Sequence, residues 1–351
     1  MALLTDSVRL PTRALGNTGM NITAVGLGAW AIGGTEWGNH DDAVAVRVIR
    51  RALERGVNWI DTAPIYGLGH SEELVRQALQ ATPAAERPYV FTKCGLDWDE
   101  QRPDAPPRRV GSAANVRREV DQSLRRLGIE RIDLYQMHWP ADDVGLEVYW
   151  NTLLELKKAG KVRAVGLSNH SVEQLECAER LGHVESLQPP FSAIRRQAAA
   201  EIAWCHAHQT GVIVYSPMQA GLLSGTFTRE RARALPKEDW RSGNALFTGE
   251  ALDRNLQLAE ALRPVAERHG ATVASVAVAW VLAWPGVTGA IVGARSPAHV
   301  DGWIGAAGLT LTVADLREIA AAIERSGAGS GPALPPVVGS GVDARPGGPQ
   351  R

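Results

Sequence analysis

The sequence predicts an α/β fold closed as a (β/α)8 TIM barrel, and three observations carry that expectation. Eight short apolar runs each precede a helical pattern along the chain. Runs such as Val212–Val214 and Ala290–Val292 are nearly unbroken, which suits parallel strands buried on both faces. Polar and ionisable residues gather where these runs end, and in a parallel barrel all such ends meet at one mouth.

The elements follow in order. Residues 8–20 read as a short N-terminal hairpin lid, with turn residues around Gly16, Asn17 and Gly19. Ile22–Leu27 is expected as the first strand, leading into Gly28, Ala29 and Trp30. Gly26, Gly28, Gly33 and Gly34 miss the G-x-G-x-x-G spacing, and the stretch before the helix at Asp42 is too long for a dinucleotide turn. They read instead as a loop allowing close backbone approach. Helical patterns then lead to strands in turn: 42–55 to 57–61, 71–79 to 88–93, and 112–127 to 132–138. Next come 146–159 to 161–168, 171–181 to 184–189, and 198–208 to 212–216. A long polar loop, about 218–250, follows strand seven and precedes helices 251–268 and 272–283. The last strand is 288–292, followed by helices 297–306 and 313–325. This gives one barrel domain over 1–325. The Gly/Pro/Ser-rich remainder, 326–351, has no aromatics or periodicity and reads as a disordered tail.

Composition narrows the function. The 351 residues are 45% hydrophobic with net charge −1, so no basic footprint points to nucleic acid. Three widely spaced cysteines, Cys94, Cys177 and Cys205, suit reduced thiols in the cytoplasm. No apolar run reaches membrane-spanning length, and the start lacks a signal-like apolar core. No metal is expected, because the only close ligand set, Cys205 with His206 and His208, lies at a helix end away from the strand ends. A serine hydrolase is disfavoured because GLSNH lacks the second glycine of G-x-S-x-G.

The strand ends present Asp61 with Tyr66, then Lys93, then His138. Neighbouring strands lie about 4.8 Å apart, so these side chains can touch. An ammonium beside a phenol favours the phenolate, by at most roughly 4 kcal/mol at about 4 Å and a dielectric near 20. Asp61 would anchor Lys93, and His138 would hydrogen-bond a carbonyl oxygen. The set describes a general acid aimed at the oxygen of an aldehyde or ketone whose carbon receives hydride. Trp30, Trp37, Trp98 and Trp139 fall in or beside the mouth loops as candidate substrate wall. The loop 96–111 is a candidate substrate cover, and Arg241 a candidate phosphate ligand.

Over roughly residues 8–325 the chain resembles the aldo-keto reductases. The motifs are DTAPIYGLGHSE (61–72), FTKCG (91–95), DLYQMHWP (133–140), GLSNH (166–170), VYSPMQAGLLSG (214–225) and IVGAR (291–295). The resemblance implies a catalytic tetrad of Asp61, Tyr66, Lys93 and His138, with NADPH, preferred over NADH, across the barrel mouth. It implies that Ser168, Asn169 and Gln188 hold the nicotinamide carboxamide and that Tyr215 stacks on the ring. Ser216, Met218, Gly221 and Leu222 would pass the pyrophosphate. Gly293, Ala294 and Arg295 would bind the adenosine 2′-phosphate. His299 and Trp303 stand where the family often has Gln and Asn near the adenine. The implied activity is reversible reduction of small-molecule carbonyls to alcohols. The rival is a nicotinamide-binding regulatory or interaction subunit with vestigial turnover, against which the intact four residues argue.

Overall fold

The computed structural model describes residues 9–336 except 39, 40, 81, 84, 85 and 103. Eight parallel strands close into a barrel. They are β1 (Val25–Gly28), β2 (Trp59–Asp61), β3 (Tyr89–Cys94), β4 (Ile132–Met137), β5 (Val162–Ser168), β6 (Ser186–Gln188), β7 (Gly211–Tyr215) and β8 (Val287–Gly293). Closure is between β8 and β1, with Gly293 opposite Gly28. The outer helices are α1 (Asp42–Glu54), α2 (His70–Leu79), α3 (Ala113–Leu127), α4 (Leu146–Lys158), α5 (Val172–Glu179), α6 (Ala199–Ala207), α7 (Val273–Leu282) and α8 (Pro297–Trp303). Local chemistry sets their limits. Asp41 caps α1 by accepting the Ala43 and Val44 N–H groups, Ser171 and Gln174 form a capping box on α5, and α3 ends at Gly128 in a left-handed conformation.

Side chains alternate along each strand, so every second residue points into the barrel. The lower inward layer is apolar: Trp59, Phe91, Leu134, Ala164, Ile213 and Ile291, joined by Leu15, Met20 and Ile22. Two residues further along the same strands stand Asp61, Lys93, Gln136, Gly166, Tyr215 and Gly293. The barrel therefore has a dry floor under a polar mouth. The larger apolar cluster lies outside, between strands and helices.

Several expectations change in detail. The hairpin is Thr12–Ala14 paired with Asn21–Thr23, so Ile22 belongs to it and not to the first barrel strand. It is no lid over the mouth. Leu15, Met20 and Ile22 plug the floor, and Gly16 lies against the starts of β6 and β7. The expected helix 251–268 is two helices, Gly249–Ala261 and Arg263–Arg268, since Pro264 lacks the N–H a continuous helix needs. The loop after β7 contains the short helix Arg229–Arg233 and three 3-10 turns. Loop 96–111 carries a small antiparallel pair, Leu96–Asp97 with Arg108–Arg109.

The last helix runs Val313–Ser326, and the mostly exposed chain beyond it docks at Ala328, Ser330 and Gly331. Buried Arg196 donates to the carbonyls of Ala193, Ala328 (3.1 Å) and Gly331 (3.1 Å), while Arg196 N–H donates to the Ser330 carbonyl. The composition of this stretch forbids a helix but not docking through its backbone. Residues 337–351, the rest of the expected disordered tail, lie outside the described residues, as does residue 8 of the hairpin expectation.

Gly26 makes room for the Trp59 ring, since a Cβ there would sit 2.1 Å from its Cε2. Gly26→Ala should therefore lower unfolding stability by about 3 kcal/mol through overpacking of the floor. Urea denaturation checks this, and an unchanged midpoint would show that the ring yields freely.

Candidate active site

Lys93 is fully buried at the top of β3. Its Nζ donates to Asp61 Oδ2 at 2.7 Å, to the Thr62 carbonyl at 2.9 Å and to Tyr66 Oη at 3.4 Å. Gln188 Nε2 donates to Asp61 Oδ1 at 2.9 Å, so both carboxylate oxygens are held. The His138 ring meets the Tyr66 ring edge-on, with centroids 5.9 Å apart. All four residues of the expected set thus converge. The strand is also braced from outside the barrel. Glu72 accepts from Thr92 Oγ1 at 2.8 Å and from Arg126 Nε at 2.6 Å. Glu119 accepts from the Gly95 N–H at 2.7 Å and from Asn115 at 2.8 Å, and burial still raises its pKa to about 7.

The electrostatics correct one expectation. Burial first, then the Asp61 and Glu36 carboxylates, push the Tyr66 phenol well above its ordinary value. The Lys93 contact does not offset that rise, because its charge is already answered by Asp61 and a carbonyl. Burial lowers Lys93 and raises Asp61, each opposed by the other, so the pair holds its charges through mutual contact. Burial, helped by the Lys93 cation, lowers His138 well below the usual imidazole range and keeps it neutral.

Beside the four runs a second network. Ser168 Oγ donates to the Gln188 carbonyl at 2.8 Å, and Asn169 Nδ2 donates to the His138 carbonyl at 2.9 Å. Tyr215 Oη donates to Asn169 Oδ1 at 2.8 Å, which fixes its ring at the mouth. Gln188 Oε1 accepts no hydrogen bond among the described residues and remains open to a carboxamide N–H. Asn169, Ser216, Gln219 and Ala220 are non-glycine residues with positive φ, a concentration of backbone strain usual at ligand clamps. At Gly221 and Gly293 a Cβ would meet nothing closer than 3.9 Å and 3.6 Å, leaving space along that path. These features fit a nicotinamide dinucleotide.

Other expected residues fall in place unevenly. The Gly221 N–H is taken by the Met218 carbonyl at 3.2 Å, and the Leu222 side chain is buried in the outer core, leaving only backbone to face the path. Ala294 is buried, and the Arg295 N–H donates to His299 Nδ1 at 3.2 Å. Trp303 packs in the outer core, which removes it as an adenine platform. Trp30 lies 6.3 Å from the Tyr66 ring and joins Trp37 at 5.0 Å. Trp139 instead lies under Arg109, and no ring contact links Trp98 or Trp139 to that cluster among the described residues.

Sequence reasoning missed Trp240, which stacks on Trp30 at 5.6 Å and meets Trp37 at 5.7 Å. It also missed Glu36, which accepts from Trp30 Nε1 at 3.3 Å. Trp240 stands next to Arg241 in DWRSGN, so an aromatic inside an otherwise polar loop was the available signal. Arg241 is neither solvated nor open. It grips Asp239 with Nε at 2.9 Å and Nη2 at 2.6 Å and donates to the Ala220 carbonyl at 3.2 Å.

Fold and mouth together are those of a (β/α)8-barrel oxidoreductase. The Aldo/keto reductase family pattern matches residues 24–324, and the chain belongs to that family, whose members use a nicotinamide cofactor. It is 33% identical to "Aldo-keto reductase YhdN" of Bacillus subtilis (strain 168), covering 89% of this chain and 93% of that protein. It is 34% identical to "NADH-specific methylglyoxal reductase" of Escherichia coli (strain K12), covering 89% and 98%. Among solved structures, the glycerol dehydrogenase AKR11B4 from Gluconobacter oxydans superposes with TM-score 0.82 at 36% identity, over 90% of this chain and 95% of that one. No helix among the described residues is long and apolar enough to cross a membrane, and none of their His, Cys, Asp and Glu side chains form a group able to hold a metal.

Proposed function

We propose that this protein is a cytoplasmic NADP(H)-dependent oxidoreductase that reversibly reduces aldehyde or ketone carbonyls of small molecules to alcohols, with NADPH preferred over NADH. The observation that carries this reading is the single ammonium of Lys93 spanning the Asp61 carboxylate and the Tyr66 phenol, beside His138. The bound nicotinamide cofactor supplies the hydride. The chain's own residues do the rest. Tyr66 gives its proton to the carbonyl oxygen as negative charge grows there. A raised pKa keeps that proton in place at neutral pH, and the alkoxide is a far stronger base than the phenolate it leaves behind. Lys93 steadies the phenolate, Asp61 anchors Lys93, and neutral His138 offers an N–H to the same oxygen.

Ser168, Asn169 and Gln188 would hold the carboxamide, and Tyr215 would stack on the nicotinamide. The backbone of Ser216, Met218, Gly221 and Leu222 would pass the pyrophosphate, and Gly293, Ala294, Arg295 and His299 the adenosine 2′-phosphate. Trp30, Trp37 and Trp240 supply an apolar wall for substrate. The three unpaired cysteines suit a reducing compartment.

Tyr66→Phe is expected to lower turnover with a reactive aldehyde by at least about 100-fold. NADPH affinity, read by fluorescence quenching, should stay within a few-fold, and near-normal turnover would overturn the assignment. With Tyr66 held above pH 10 and His138 neutral below its usual range, neither should titrate between about pH 7 and 9. The reductive kcat/KM should be flat there, and a histidine-like inflection would contradict a neutral His138. Arg295→Ala should weaken NADPH far more than NADH in parallel titrations, and equal losses would show that Arg295 does not read the 2′-phosphate.

A further inference from the structure

A buried pair of polar side chains that the proposed reaction does not use lies directly behind the mouth. His170 follows Ser168 and Asn169 after the end of β5, and Tyr149 stands in the first turn of α4. Both are almost wholly buried, at 3% and 1% exposure. His170 Nδ1 lies 2.8 Å from the Ser168 carbonyl oxygen, and His170 Nε2 lies 2.9 Å from Tyr149 Oη. A carbonyl only accepts, so Nδ1 carries the ring proton. Nε2 is then the acceptor, and the Tyr149 hydroxyl donates to it. Burial favours this neutral form, lowering the imidazole pKa to about 4 against the opposing effect of the Ser168 bond.

The bond from His170 to Ser168 spans Asn169, whose φ of 62° is a left-handed conformation that asparagine tolerates better than most residues. A turn of this kind persists only where its surroundings over-determine it. On one side the Asn169 N–H donates to the Gln188 carbonyl at 3.3 Å, and on the other the His170 ring closes the turn. Held this way, the Asn169 amide reaches two mouth residues at once. Its Nδ2 donates to the His138 carbonyl at 2.9 Å, and its Oδ1 accepts from Tyr215 Oη at 2.8 Å. Ser171 caps α5 immediately after His170, so the chain has no slack there. The Tyr149 ring is itself closely packed, since a Cβ on Gly111 would come within 2.8 Å of its Cδ1.

We propose that Tyr149 and His170 are positioning residues for the nicotinamide, holding the Ser168–Asn169 turn so that Asn169 and Tyr215 meet the cofactor as one rigid seat. This rests on the nicotinamide seat read above and extends it to two side chains standing behind it. Helix α4 sets Tyr149, Tyr149 sets the tautomer and tilt of the His170 ring, and that ring sets the Ser168 carbonyl. The residues read for the adenosine end, Gly293 to His299, follow from β8, three strands away around the barrel, and take no part.

The test is calorimetric titration of the full chain with NADPH and with 2′-phospho-ADP-ribose, which lacks only the nicotinamide. NADH and ADP-ribose, run in parallel, give the same comparison without the 2′-phosphate. Wild type should bind each dinucleotide more tightly than its nicotinamide-free counterpart. Tyr149→Phe keeps the ring and removes only the donor. His170→Asn keeps an N–H for the Ser168 carbonyl and gives up Tyr149. Each should weaken the dinucleotides by about fivefold, and His170→Phe, which loses both bonds, by about twentyfold. All three variants should bind the nicotinamide-free ligands within about twofold of wild type. Equal losses for both kinds of ligand, or no loss in any variant, would overturn the positioning role and leave the nicotinamide seat standing. A wild type that prefers neither dinucleotide over its counterpart would overturn the seat as well.

Discussion

The contact between Lys93 and Asp61 is the constraint around which the barrel mouth is arranged. Two opposite charges sit out of water at the top of an apolar floor, 2.7 Å apart. Removing two ions from water costs several kcal/mol each, repaid only where geometry and further hydrogen bonds satisfy both. Thr62 and Gln188 supply those bonds. Once they do, the ammonium has one direction left to face, and the Tyr66 oxygen occupies it. The chemistry of the phenol follows from how the ion pair is made tolerable.

The period of two along a strand builds this arrangement. Trp59 and Asp61, or Phe91 and Lys93, are neighbours on one face of one strand, so an apolar layer automatically carries a polar layer above it. The floor excludes water from below, which strengthens every interaction in the layer above. Glu72 and Glu119 tie β3 to the helices behind it, so Lys93 is held by carboxylates on both sides of the sheet, though it touches only one. Position at the mouth is therefore set by packing several residues away.

Much of this was legible in the sequence because it depends on local periodicity. Eight apolar runs gave eight strands, and the residues closing them, Asp61, Lys93, His138, Ser168, Gln188 and Tyr215, did reach one face. What depends on distant packing was hidden. The N-terminal hairpin became a floor plug, since only closure of the barrel creates the cavity that Leu15 and Met20 fill. The lowering of the phenol pKa expected from Lys93 failed because a pairwise attraction ignores burial and the carboxylates of Asp61 and Glu36. Trp240 sits in a polar loop without periodicity, so nothing local showed that it folds back against Trp30. The Trp residues divide for the same reason: Trp30 lies by the Tyr66 ring and gathers Trp37, while Trp139 is engaged with Arg109.

The docking of Ala328, Ser330 and Gly331 onto Arg196 has a practical side. That arginine follows β6, on the rim of the mouth, whereas Thr12–Ala14 lies under the floor at the opposite pole. A purification handle or fluorescent fusion joined after residue 336 would depart a few residues beyond the Gly331 contact with Arg196, on the side where the strands end. The same cargo joined ahead of the hairpin would hang from the closed end, well clear of anything entering or leaving.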